Sequence, residues 1–143
     1  MILGIIFFMD RRIITFLRSN HVFSLAVANE KDVYSAPCFY VLDDEEVALI
    51  FASDPKTHHM RLALHNPFVA GSIHRCEKQI SRIQGIQFLG ELQAATTKQH
   101  SIYYKRFPIA KTMDPAIWII KLKWIKMTDN TLGFKKKIIW QRE

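Results

Sequence analysis

"VYSAPCFYVLDDEEVALIFASDPKTHHMRLALHNP", residues 33–67, holds the reading that decides the fold. Two extended runs, "VYSAPCFYVL" and "EEVALIFAS", flank Asp43-Asp44, and the second runs straight into a helical pattern. A polar break that short joins neighbouring antiparallel strands, whereas parallel strands need a crossover of roughly a dozen residues or more. Ser53 or Asp54 is a good N-cap, Pro55 suits the first helical position, and Asn66-Pro67 stops the helix. The stretch predicts a hairpin whose second strand ends directly at a helix N-terminus.

Outward from it the same texture continues. "VFSLAVA" precedes it across the short polar break "NEKD", and "FVAGSI" and "ISRIQGIQFLGELQA" follow. "WIIKLKWIK" is the clearest strand: Trp118, Ile120, Leu122 and Trp124 alternate with Lys121 and Lys123, a period of two that a helix does not produce. "KKIIW" closes the chain. Asp10 is placed to cap a short helix that buries Ile13, Ile14, Phe16 and Leu17 and leaves Arg11, Arg12 and Arg18 wet. Thr96 or Thr97 caps a further helix that ends before Pro108. Six or seven strands, roughly, with two or three helices and few crossovers predict a mainly β fold: an antiparallel barrel with peripheral helices.

The chain of 143 residues is 49% apolar and 23% charged, which fits one globular domain with a real core and excludes a disordered chain. "MILGIIFFM" falls short of the roughly 20 residues a spanning helix needs, and Arg11 and Arg12 follow the apolar run where a signal peptide carries its charge first. We expect residues 1–9 to be an N-terminal extension, with translation starting at Met9, and residues 10–143 to be the single domain. Cys38 and Cys76 form no CxxC, so a reducing, cytoplasmic setting is expected, with no membrane partner. A net charge of +7 favours an anionic partner.

At the junction after Ala52, the amides of Lys56, Thr57 and His58 would point outward with the positive end of the helix dipole behind them. With the Thr57 hydroxyl, Lys56 and the imidazoles of His58 and His59 they would cradle a phosphate; an ordinary capped helix explains the same residues. A metal site is rejected. His58 and His59 diverge by about 100° on a helix, and His58 and His65 lie about 10.5 Å apart along its axis. Cys38 reads as an inert buried thiol, and Asp43 to Glu46 as a solvated turn. Lys135 to Lys137, between Phe134 and Trp140, could track a nucleic-acid backbone, but a charged turn before an edge strand accounts for them and no nucleic-acid partner is expected.

"SAPCFYVLDDEEVALIFAS", "DPKTHHMRLALHNPFVAGSI" and "GIQFLGEL", in that order, resemble the FMN-binding split barrels related to pyridoxamine-phosphate oxidase. "RFPIAK", the KT-x-H run and "WIIKLKWIKMTDNTLGFKKKIIW" look like the YhbP-type branch of that superfamily. The resemblance implies an antiparallel split β-barrel, a homodimer, and FMN held at the subunit interface. It sets the flavin ring along Pro37, Cys38, Phe39 and Tyr40, and the ribityl phosphate beside Ala52 and Ser53. The family's Ser-Arg-Lys phosphate clamp falls on Thr57, His58 and His59, with Lys56 supplying permanent charge. Gln84 and Gln87 are the nearest equivalents of a ring-touching glutamine, on a strand that serves the partner subunit, and Trp124, Asn130 and Lys135 match a second ring-edge segment. Pro37 replaces an expected arginine, Leu42 a substrate lysine, and the C-terminal arginine-rich motif is missing, so pyridoxamine-phosphate oxidation is not implied. The implied function is an FMN-dependent oxidoreductase exchanging electrons with a small molecule; a flavin sensor or carrier without turnover and a haem-binding barrel are the alternatives.

Overall fold

A computed structural model of the chain describes residues 8–134 and 136–143. Its elements run α1 (Arg11–Ser19), β1 (Val22–Asn29), β2 (Asp32–Asp43), β3 (Ala48–Ala52), α2 (His58–His65), β4 (Phe68–His74), β5 (Gln84–Ala94), α3 (Thr97–Arg106), β6 (Ile117–Asp129) and β7 (Lys137–Gln141). Three short 3-10 turns, Ile80–Arg82, Pro108–Met113 and Asn130–Leu132, complete the chain.

All strand pairings are antiparallel, in the order β3-β2-β1-β4-β5-β6-β7, and β3 also pairs with β6. That extra ladder, Ala48↔Lys121 to Ala52↔Ile117, closes the first six strands into the expected barrel. β7 stays outside the closure, paired with the second half of β6 from Trp124 to Thr128. β6 is long because it serves three neighbours.

Alternation sends one face of each strand inward. Phe23 sits at the centre of the barrel, fully buried, with its ring 5.4 Å from Phe51, 5.9 Å from Tyr40 and 5.8 Å from Phe88. Three aromatic contacts on one ring add to its area burial, since edge-to-face pairs are favoured electrostatically. α1 plugs one end: Asp10 caps it as expected, accepting from the Arg12 N–H, and Ile13, Phe16 and Leu17 are buried. The Tyr40 hydroxyl donates to the Leu17 carbonyl at 2.7 Å and so anchors the helix to β2. Met9 is itself buried in this core, so it is part of the packed domain; residues 1–7 of the expected extension lie outside the described residues. α3, capped by a Thr96/Gln99 box, covers a second apolar cluster on the outside of β3 and β6, where Tyr103 packs with Ala48, Ile50, Ile117 and Ile119.

Two expectations are corrected. The run "EEVALIFAS" does not begin as a strand: residues 44–47 form the turn, with Asp43 accepting the N–H groups of Glu45 and Glu46, and β3 starts at Ala48. Trp124 does not share a face with Leu122 either. The β5 register shifts between Leu89 and Gly90, which pair with Trp124 and Leu122, so Lys123 is an extra residue and Ile125 and Met127 continue the buried face. One inserted residue turns every later side chain over. Gly90 makes the bulge close-fitting, because a Cβ there would stand 2.7 Å from the Lys121 carbonyl oxygen.

Candidate functional site

The barrel opens between β2 and β3. Their ladder covers only Tyr40–Asp43 against Phe51–Ala48, and beyond it β3 follows β6, with the Ser53 N–H donating to the Ala116 carbonyl at 3.0 Å. Tyr40 donates its N–H to His21 on the β1 side, at 2.9 Å. Antiparallel pairing alternates, so Val33, Ser35, Pro37 and Phe39 turn their backbone groups to the opposite edge, where no strand lies among the described residues. Pro37 offers that edge a carbonyl and no N–H. Phe39 offers both.

Two aromatic contacts bracket this edge. Tyr34 meets the His58 ring edge-on at 4.8 Å, and Phe39 meets Phe107, just past α3, at 5.9 Å. The first of them joins the edge to the strand-to-helix junction, to which His58 belongs. Its N-cap is Thr57, not Ser53 or Asp54, because Asp54 first closes a turn: it accepts the Lys56 N–H on Oδ1 at 2.8 Å and the Thr57 N–H on its carbonyl at 3.1 Å. Pro55 therefore belongs to the turn. Helical bonding resumes with Arg61 donating to the Thr57 carbonyl at 3.0 Å, so the first-turn amides left over are those of His58, His59 and Met60. The predicted set was Lys56, Thr57 and His58, and only His58 survives.

Ser53 and His59 are the closest pair of polar side chains there, with Oγ 2.8 Å from Nε2; Thr57 Oγ1 lies 3.3 Å from the same nitrogen and donates to the Asp54 carbonyl at 2.8 Å. Burial, helped by the neighbouring His58, holds the His59 imidazole below its ordinary value. Trp118 donates its indole N–H to the Ser53 carbonyl at 2.9 Å, so the backbone beneath the serine is held from both sides. Lys56 is exposed in the turn that precedes the helix. These groups suit a phosphate: first-turn amides, a hydroxyl, an ammonium and a helix dipole.

The other predicted residues separate into three groups. Pro37 and Phe39 are exposed on the outer face and Ala52 borders the junction, whereas Cys38 and Tyr40 point into the barrel core. Burial pushes the Cys38 thiol up to about 11, which leaves it a protonated, inert group, as the sequence suggested. Gln87 and Trp124 lie on the outer sheet face, lining one groove of about 530 Å³ with Ser24, Ser35 and Ser72. Gln84 and Asn130 sit at the far end of β6, at Asp129, whereas the junction lies at its start, where Ala52 pairs with Ile117. There Gln84 donates to Asp129 Oδ2 at 3.1 Å and Asn130 to the Ile80 carbonyl at 2.7 Å. One chain does not bring them to the junction. Lys135 lies outside the described residues, and Trp140, offered as a stacking ring beside it, is buried against the core. Tyr34 and Trp118 were not singled out from sequence; an indole N–H at the start of a strand, needing an acceptor, was the available signal.

Closed six-stranded barrel, open β2 edge and helix-capped junction define an antiparallel split β-barrel. The fold matches a NimC/NimA family protein from Clostridium acetobutylicum with a TM-score of 0.74 at 17% identity, over 98% of this chain and 96% of that one. It matches a heme binding protein from Mycobacterium smegmatis at 0.73 and 16% identity, over 89% of this chain and 55% of that one. A FAD-binding protein from Mesorhizobium loti matches at 0.66 and 16%, over 82% and 92%. No family profile matches the chain. It is 40% identical over 131 residues to a UPF0306 protein of Yersinia pestis, covering 89% of each, and the chain belongs to the UPF0306 family.

Proposed function

We propose that this chain is an FMN-binding flavoprotein of the YhbP-type branch, acting as an oxidoreductase on a small molecule, with the flavin at a homodimer interface. The observation that carries the reading is the position of the open β2 edge beside the Ser53–His59 junction. A phosphorylated planar ring with donors and acceptors on its rim needs both at once: an edge of free backbone N–H and C=O groups, and an anion cradle. Phe39 gives the edge a paired donor and acceptor, which matches the imide rim of a flavin and has no use for the unfunctionalised rim of a porphyrin. The flavin supplies the two-electron chemistry, while the chain's residues bind, orient and shield it.

The homodimer reading rests on the outer sheet face. An apolar groove of about 930 Å³ crosses it, lined by Ala26, Val33, Tyr34, Phe68, Ala70 and Leu89, with Lys123 its one charged residue. Val33, Tyr34, Phe68 and Leu89 expose large apolar side chains there, the kind of surface a partner would cover. A second copy seated there would set the Gln87 and Trp124 face of one chain, which already shares a groove with Ser35 of its own β2, against the β2 edge of the other.

The test is a titration of the purified protein with FMN and with haem, followed by nicotinamide oxidation. Flavin binding with turnover above free FMN supports the reading. Binding without turnover leaves a sensor or carrier, and a Soret band in place of flavin overturns it.

A further inference from the structure

The hydrogen positions at the junction can be counted. Thr57 Oγ1 stands 2.8 Å from the Asp54 carbonyl, which only accepts, so the single Thr57 hydroxyl proton lies on that line. Toward His59 Nε2, at 3.3 Å, Thr57 can then only accept. A hydrogen bond between them therefore requires the proton to be on Nε2. That same N–H points at Ser53 Oγ, 2.8 Å away, and Ser53 Oγ has no other side-chain partner among the described residues. A serine that accepts from the imidazole keeps its own proton to give.

We infer that His59 is a positioning residue: its Nε2–H, steadied by Thr57, is donated to Ser53 Oγ and leaves the Ser53 hydroxyl free to donate to an oxyanion, the phosphate of the cofactor proposed above. The inference rests on that cofactor reading for the identity of the oxyanion. It rearranges the clamp. Thr57, whose proton is committed to Asp54, and His59, whose N–H is committed to Ser53, stop being phosphate ligands, and Ser53 joins the amides of His58, His59 and Met60 and the Lys56 ammonium as donors. The depressed basicity of His59 agrees with a neutral imidazole acting by geometry.

The experiment has two arms. In FMN-free protein at neutral pH, two-bond proton–nitrogen correlation of the imidazoles should show His59 neutral with its proton on Nε2. A proton on Nδ1 alone, or a doubly protonated ring, overturns the inference. In FMN titrations, His59→Gln, which keeps an N–H near the Nε2 position, should bind within about twofold of wild type, whereas His59→Ala and Ser53→Ala each lose about tenfold, the scale of one hydrogen bond to a charged group. The double variant should be no weaker than Ser53→Ala alone. Equal losses in His59→Gln and His59→Ala, or losses that add, overturn it. A wild-type protein that binds no FMN refutes the cofactor reading instead, and the tautomer signal still decides this one.

Discussion

Ser53 at the end of β3 and His59 in the first turn of α2 are joined through Oγ and Nε2 at 2.8 Å, which ties the opened rim of the barrel to the helix that caps it. The serine is further fixed through its carbonyl by Trp118. Trp118→Phe removes that donor together with part of the indole's packing and leaves the Ser53 carbonyl short of a partner. It should cost about 1–3 kcal/mol of stability and lower FMN affinity with it, read by denaturant unfolding and by titration. Full stability with unchanged affinity would show that the indole does not position the junction.

Within residues 53–59 Lys56 is the one permanently cationic side chain. Lys56→Ala should weaken FMN binding by about 1.5–3 kcal/mol, with the difference shrinking in high salt because the lysine is exposed. Thr57→Val removes the hydroxyl that donates to the Asp54 carbonyl and should affect that turn more than the ligand: lower thermal stability, with FMN affinity reduced only through His59. An affinity loss from Thr57→Val as large as that from Lys56→Ala would return Thr57 to the clamp.

His59 also fixes a pH dependence. Its folded value lies below the free imidazole's, so the folded state takes up its proton at lower pH than the unfolded chain does. In FMN-free protein the stability contribution is therefore intact above about pH 6.5 and declines as pH falls toward the folded value. For binding, wild type and His59→Gln should have the same FMN dissociation constant above about pH 7 and diverge only below about pH 6.5, where the wild-type ring becomes charged. Curves that part between pH 7 and 8 would mean that a charged histidine holds the phosphate.

Asp129 governs the other end of β6. Burial alone would raise its carboxyl, but hydrogen bonds from the Thr131 hydroxyl, the Gln84 amide and the Thr131 N–H, with the nearby Arg12 charge, hold it below its usual range. A depressed carboxyl stabilises above its unfolded value of about 3.9 and loses that contribution as pH falls through the folded value. Asp129→Asn should destabilise at neutral pH and flatten the acid limb of the stability curve. An unchanged acid limb would place the proton-linked loss elsewhere.

The outer sheet face predicts assembly. Leu89→Arg puts a charge in the middle of the apolar groove, half exposed in the single chain, so it should leave the fold intact while dissociating the dimer and weakening FMN binding. Sedimentation of both proteins checks it. A dimer that survives the arginine would show that another face mediates it.

The strands and the antiparallel class were legible because alternation and short polar breaks are local signals, and α1 was legible because Asp10 and its apolar stripe are contiguous. What the local pattern hid was positional. The bulge at Lys123 depends on how β5 lies against β6, so Trp124 was assigned to the wrong face. The start of α2 moved by three residues because Asp54, an equally good cap and turn former, used its side chain for the turn. The junction itself was visible as polar residues at a helix start. Its proton arrangement was not, since that depends on which lone pair meets which hydrogen in space.

The most direct test of the central claim is the visible spectrum of the protein purified from cells, followed by FMN titration of the stripped protein. The account predicts a flavin spectrum, one FMN per chain, and binding reduced by Lys56→Ala and Ser53→Ala. A Soret band, or no chromophore with no FMN uptake, would contradict it.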